Sequence, residues 1–151
     1  MFDDVILQED ADSVVFFYST ENINYYQRRE AFQVNLVAKT LKAIPKVEDK
    51  INFYSYDVTL NGMPNGIPNM GAPPHDIIRS EKDRTTGLPT TYVFPAGQKT
   101  MPYIRYMELP MAENIIGFIK EISTQYLPLN LDNFKHLGIQ NADADDFIKR
   151  L

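Results

Sequence analysis

The side chains able to do chemistry in this chain are carboxylates, tyrosines and two histidines; its 151 residues include no cysteine. Without a thiol there is no thiolate catalysis, no disulfide and no Cys-ligated zinc. His75 and His136 stand far apart, which leaves little material for a His-based metal site or a Ser-His-Asp triad. The densest acidic group is Asp143, Asp145 and Asp146 in ADADD. Calcium takes about six to eight ordered oxygens, and no EF-hand loop is present, so this group reads as a solvated acidic helix start. Glu108 and Glu113 do not qualify as an acid/base pair, because nothing places them in a pocket that would tune their proton affinities. No catalytic residue, metal site or cofactor is therefore expected.

The elements that must position these residues come from periodicity. VVFFY (14–18) is a short continuous apolar run, the pattern of a strand buried on both faces. From Asn22 to about Ile44 the period becomes helical. Phe32, Leu36, Val37, Leu41 and Ile44 share a face, with Arg28, Arg29, Lys39 and Lys42 between them, Arg28 and Arg29 reading as solvated residues. Asn22 or Thr20 is placed to cap this helix, and Pro45 stops it. INFYSYDV (51–58) alternates and is rich in β-formers, so it reads as a second strand. LNGMPNGIPNMGAPP (60–74) is too rich in Gly, Pro and Asn for a core element and reads as a long surface loop or a recognition loop. HDIIRSEKDR (75–84) fits a short helix. TTYVFP (90–95) and MPYIRYM (101–107) flank the turn AGQK as an antiparallel hairpin. From Pro110 to about Tyr126 the helical period returns, with Ile115, Ile116, Ile119 and Ile122 on one face. The tail, 127–151, fits one or two short helices. The order β-α-β, loop, β-β-α predicts an α/β fold: a mixed sheet with helices on both faces.

Composition sets outer limits. Hydrophobic residues make up 44% and charged residues 23%, and the length suits one domain. The formal charge is −5 with no basic block, which argues against a nucleic-acid partner. No apolar run reaches the roughly 18–20 residues needed to span a bilayer, so no membrane insertion is expected. The start, MFDDVILQEDADS, lacks the basic and long apolar regions of a signal peptide. Lack of cysteine assigns no compartment.

One further set of residues carries a resemblance. Phe17-Tyr18 ends the first strand, Gly87-Leu88-Pro89-Thr90 precedes the hairpin, Phe94-Pro95-Ala96-Gly97 forms its turn, and Glu113 through Lys120 lies in the closing helix. In this order and spacing the chain resembles the thioredoxin fold. It looks most like a catalytic-type domain of the protein disulfide isomerase family, over about residues 1–126. The resemblance implies a thioredoxin-like domain at 1–126 with a loop insertion at 60–74, and a C-terminal extension at 127–151. FDDVIL aligns with the family's first helix, and no segment matches the strand that precedes it. That implies a larger parent protein, or a sheet completed by the tail.

The departures bear on function. The family's segment is Trp-Cys-Gly-His-Cys-Lys; its thiol positions fall here at Asn22 and Tyr25, with Ile23-Asn24 between. Neither side chain can carry out thiol–disulfide exchange. The carboxylate that such domains bury two residues before the Tyr is replaced by Phe16. The position of a mid-helix proline is Glu30, which implies a straighter helix. The resemblance further implies a cis bond at Leu88-Pro89, beside the degenerate turn, bordering a groove for extended peptide. Tyr25, Tyr26, Leu88, Pro89 and Thr90 would line it, with contact from Ile23 and hydrogen bonds from Asn22 and Asn24. The expectation is a redox-inactive, non-enzymatic module that binds protein or unfolded peptide. It would be chaperone-like, linked to further domains, in the endoplasmic reticulum lumen, with a cytoplasmic setting left open. The alternative is a scaffold or assembly domain that docks a fixed partner through loop 60–74 or the tail.

Overall fold

The computed structural model describes residues 5–6, 10–20, 25–61, 90–99, 104–106, 108–135, 137 and 149–150. Their centre is β1 (Asp12–Tyr18), in which every residue but the last is buried. Alternation fails there because both faces are covered. Val14 and Phe16 enter one core, Val15 and Phe17 the other.

β2 (Ile51–Asp57) runs parallel to β1, from Asp12↔Ile51 to Tyr18↔Asp57. β3 (Thr90–Phe94) lies antiparallel on the other side of β1, from Ser13↔Phe94 to Phe17↔Thr90. β4 (Ile104–Tyr106) pairs antiparallel with β3. A two-residue strand from the tail, β5 (Lys149–Arg150), pairs parallel with β2. The sheet order is β4-β3-β1-β2-β5. The chain is thus mixed α/β, as its periodicity predicts. In the hairpin turn Gly97 takes φ +75°, a left-handed conformation that suits glycine, and Gln98 N donates to Pro95 O.

α1 (Tyr25–Lys42) connects β1 to β2, and α3 (Ala112–Ile122) follows β4. Both pack on the same face of the sheet. Val34, Leu36, Val37, Ala38 and Leu41 of α1 meet Ile115, Ile116 and Ile119 of α3 above Phe16 and Phe53. Burying each such side chain fully is worth about 1.5–3 kcal/mol relative to exposure. Arg28 and Arg29 are exposed, as expected. On the opposite face Phe17 packs edge-on against Tyr56 and Tyr92, with Ile6, Val15 and Phe94. Residues 75–84, expected to form a helix, lie outside the described residues.

Three boundaries differ from the sequence expectation, two of them because a side chain makes a tertiary or capping bond. β2 stops at Asp57 rather than Val58. Asp57 Oδ1 accepts from Thr59 N at 2.9 Å and caps a single helical turn, α2 (Val58–Asn61), which takes in the first residues assigned to the loop. α1 ends at Lys42, where the bond Ile44 N to Leu41 O tightens the chain before Pro45, and Lys46 follows at φ 70°. α3 ends at Ile122, four residues short of Tyr126. Ser123 turns to ψ 138°, and its hydroxyl donates to the Asp12 carboxylate. Gln125 Nε2 donates to Lys50 O at 2.8 Å, and Lys50 Nζ donates to Tyr126 O at 3.0 Å. These bonds hold 123–126 out of the helix, with a bend at 124–125, where local propensity favours continuation. In the tail, Leu131–Phe134 is a 3-10 turn capped by Asn130.

Candidate functional site at the carboxyl end of the central strands

Because β1 and β2 are parallel, their carboxyl ends open on one side of the sheet. In open α/β sheets this is where ligands collect, since the connections leave the strands there. The residue after β1, Ser19, is buried and held by a two-point amide clamp. Its N–H donates to Gln27 Oε1 at 3.0 Å, and Gln27 Nε2 donates back to Ser19 O at 2.9 Å. The Ser19 hydroxyl shares a hydrogen bond with Thr59 Oγ1, which ties the end of β1 to α2.

Gln27 opens a polar stripe on the inward face of α1. Gln27, Glu30 and Gln33 recur every three residues, and all are buried. Each reaches a different element. Glu30, only 2% exposed, accepts from Thr91 Oγ1 of β3 at 3.0 Å. Gln33 Oε1 accepts from Ala112 N, the first N–H of α3, at 2.9 Å. A helix N-terminus leaves such donors without intrahelical partners, and Gln33 fills one of them from outside.

Two buried side-chain oxygens have no hydrogen-bond partner among the described residues: Asp57 Oδ2 and Thr90 Oγ1. Both stand at the end of β1. Asp57 is in register with Tyr18, and Thr90 with Phe17. They belong to opposite faces of the sheet, as Phe17 and Tyr18 do. Buried polar groups in folded proteins are almost always paired, so these two oxygens stand out among the described residues at that strand end.

Of the residues expected to form the site, Tyr25 and Tyr26 are the first two of α1, and Thr90 is the first of β3. Thr90 sits directly across from Phe17. Its side chain is buried, so a ligand at the surface would meet its backbone. Asn22, Ile23, Asn24, Leu88 and Pro89 lie outside the described residues, as do His75, His136, Asp143, Asp145 and Asp146. Glu108 is exposed, and Glu113 lies half-buried in the first turn of α3. Among the described residues no group of three or more His, Asp or Glu is arranged to hold a metal ion. No described helix is long and apolar enough to cross a membrane.

Sequence reasoning missed Ser19, Gln27, Glu30, Asp57, Thr59 and Thr91. A signal for part of this group exists. Gln27, Glu30 and Gln33 extend the same helical stripe that Val34, Val37 and Leu41 continue, so polar residues occupy core positions. The cluster supplies hydroxyl, amide and carboxylate groups, a chemistry of hydrogen bonding. No protein-family model matches the sequence, and no curated protein aligns with it significantly.

Proposed function

We propose that this chain is a redox-inactive, thioredoxin-like domain that binds extended peptide or unfolded protein at the carboxyl end of β1. The observation that carries the reading is that the parallel strands β1 and β2 end on one side of the sheet, with Thr90, the first residue of β3, directly across from Phe17 so that its backbone lies at that end. The topology supports it too. A parallel β-α-β unit is followed by an antiparallel hairpin and a closing helix, the order on which the resemblance to protein disulfide isomerase domains rests. With no cysteine in the chain, thiol–disulfide exchange by its own residues is chemically excluded. A backbone-pairing ligand suits a site built from hydroxyl and amide groups at strand ends. The secretory-pathway setting and the linkage to further domains rest on the resemblance alone.

The test is an NMR titration of the labelled chain with a pool of extended and unfolded peptides. Shifts should cluster at 18–27, 57–59 and 88–91. Shifts absent from all three segments would sink the proposal, as would insulin reduction by the purified chain. A scaffold role, docking a fixed partner through loop 60–74 or the tail, is the second reading. Under that reading, deleting 62–73 abolishes partner binding and leaves peptide shifts at 18–27 unchanged.

A further inference from the structure

Met111 stands where α1 and α3 meet. It is the N-cap of α3, and it is half-buried. Among the described residues it is the one methionine. Two kinds of donor meet at this residue. From α1, Arg29 Nη2 donates to Met111 Sδ at 3.8 Å, across 82 residues of sequence. From α3 comes the positive end of a helix, whose first N–H groups have no acceptor within the helix. Gln33 takes the Ala112 N–H from outside, but the N-cap side chain itself makes no capping bond. A thioether is a weak acceptor, so a cation and a helix start face a sulfur that answers neither well. One oxygen atom on that sulfur would change the balance.

We propose that Met111 is an oxidation site for hydroperoxides, and that its sulfoxide is received by Arg29 and the start of α3. The reaction balances with peroxide as the oxidant. The sulfur lone pair attacks one oxygen of hydrogen peroxide, and a sulfur–oxygen bond forms as the O–O bond breaks. The departing hydroxide takes the proton from the transferred oxygen and leaves as water. Sulfur is oxidised by two electrons and the peroxide is reduced. The guanidinium beside the sulfur suits the negative charge that develops on the leaving oxygen. The sulfoxide oxygen is a strong acceptor where the thioether was a weak one. Arg29 donates to it in a charge-assisted bond, and its negative end lies at the positive end of α3. Methionine oxidation ordinarily disrupts packing, because it puts a polar group into apolar surroundings. Here the surroundings are half open and supply donors, so the oxidised chain stays folded and the contact between α1 and α3 tightens. In a chain without cysteine, methionine is the sulfur left for such a response. This inference does not rest on the peptide-binding reading.

The test treats the full chain with hydrogen peroxide and maps the added oxygen by mass spectrometry of its peptides. Met111 should oxidise at a rate within about tenfold of that in the urea-unfolded chain, as half-burial allows. In NMR spectra, oxidation should move the Arg29 side-chain N–H signals and the amides of 112–114, and methionine sulfoxide reductase should restore them. Met111→Leu keeps the apolar bulk and should abolish those shifts, although the other methionines still oxidise. Urea unfolding gives the energetic test. Oxidation should raise the unfolding constant about threefold more in Arg29→Ala than in the parent chain, and the difference should vanish in a Met111→Leu background. Arg29→Lys, which keeps the charge, should fall between. Slower oxidation of Met111 than that tenfold limit overturns the proposal. So do shifts that persist in Met111→Leu, and so does an equal effect of oxidation with and without Arg29. Loss of cooperative unfolding in the oxidised parent, but not in oxidised Met111→Leu, would make the sulfoxide a lesion and overturn it as well.

Discussion

Glu30 is a carboxylate in the middle of a helix face that otherwise becomes fully apolar one turn later. Taking a carboxylate out of water costs several kcal/mol unless hydrogen bonds compensate, and Thr91 provides one such bond. Replacing Glu30 by Ala leaves the Thr91 hydroxyl buried without that acceptor and opens a small void. Urea unfolding should show a loss of about 1–3 kcal/mol. Glu30→Gln should cost less, because the amide oxygen still accepts from Thr91. A Glu30→Ala variant as stable as the parent would remove the carboxylate from the list of groups holding α1 to the sheet. The sequence pattern assigns Glu30 only as the occupant of a proline position. Its burial depends on Thr91, 61 residues away, which no local period reveals.

Between elements, the clearest fastening is Asp12. It is fully buried at the start of β1, and its carboxylate accepts from Ala96 N of the hairpin turn at 2.7 Å and from the Ser123 hydroxyl at the end of α3. Its own N–H donates to Lys50 O at 2.9 Å, just before β2. One residue therefore aligns a strand start, a turn and a helix end. Bonds to a charged acceptor are about twice as strong as neutral ones. Asp12→Ala should lower stability by about 2–4 kcal/mol. It should also speed amide exchange in the last turn of α3, read by NMR. Asp12→Asn should recover part of the loss, since its carbonyl can still accept from Ala96. An effect confined to β1, with α3 exchange unchanged, would contradict the linkage. The same fastening explains why α3 stops at Ile122: the following residues spend their hydrogen bonds on Asp12, Lys50 and Ala96 instead of on the helix.

Across the molecule, two apolar clusters lie on opposite faces of one sheet, and β1 belongs to both. Phe17 is fully buried in the face opposite α1 and α3, edge-on to Tyr56 and Tyr92. Phe17→Ala should cost about 3–5 kcal/mol through lost burial and a residual cavity. Because the strand is shared, the loss should appear as one lowered transition, with near-ultraviolet circular dichroism and helix signal falling together. Two separated transitions would show that the clusters fold independently. The same central position gives the candidate site its rigidity. Asp57 and Thr90 are held in place by the strand they flank.

Periodicity and punctuation were enough to place the main elements. VVFFY is continuous because β1 is covered on both sides, INFYSYDV is rich in β-formers, the isoleucines at 115, 116, 119 and 122 recur at helical spacing, and Pro45 stands just past the end of α1 at Lys42. Those are short-range properties, written in the spacing of apolar side chains. The composition likewise rules out thiol chemistry without any coordinates, since a missing element cannot be restored by folding. Folding alone brought Ser19 to Gln27 and Thr59, Glu30 to Thr91 and Asp12 to Ser123, whereas the pairing of the tail with β2 matches one of the two alternatives read from the sequence. Most of these pairings join polar residues distant in the chain. Their partners follow from the order of strands in the sheet, and a polar residue read singly carries no mark of whether it will face water or another buried group.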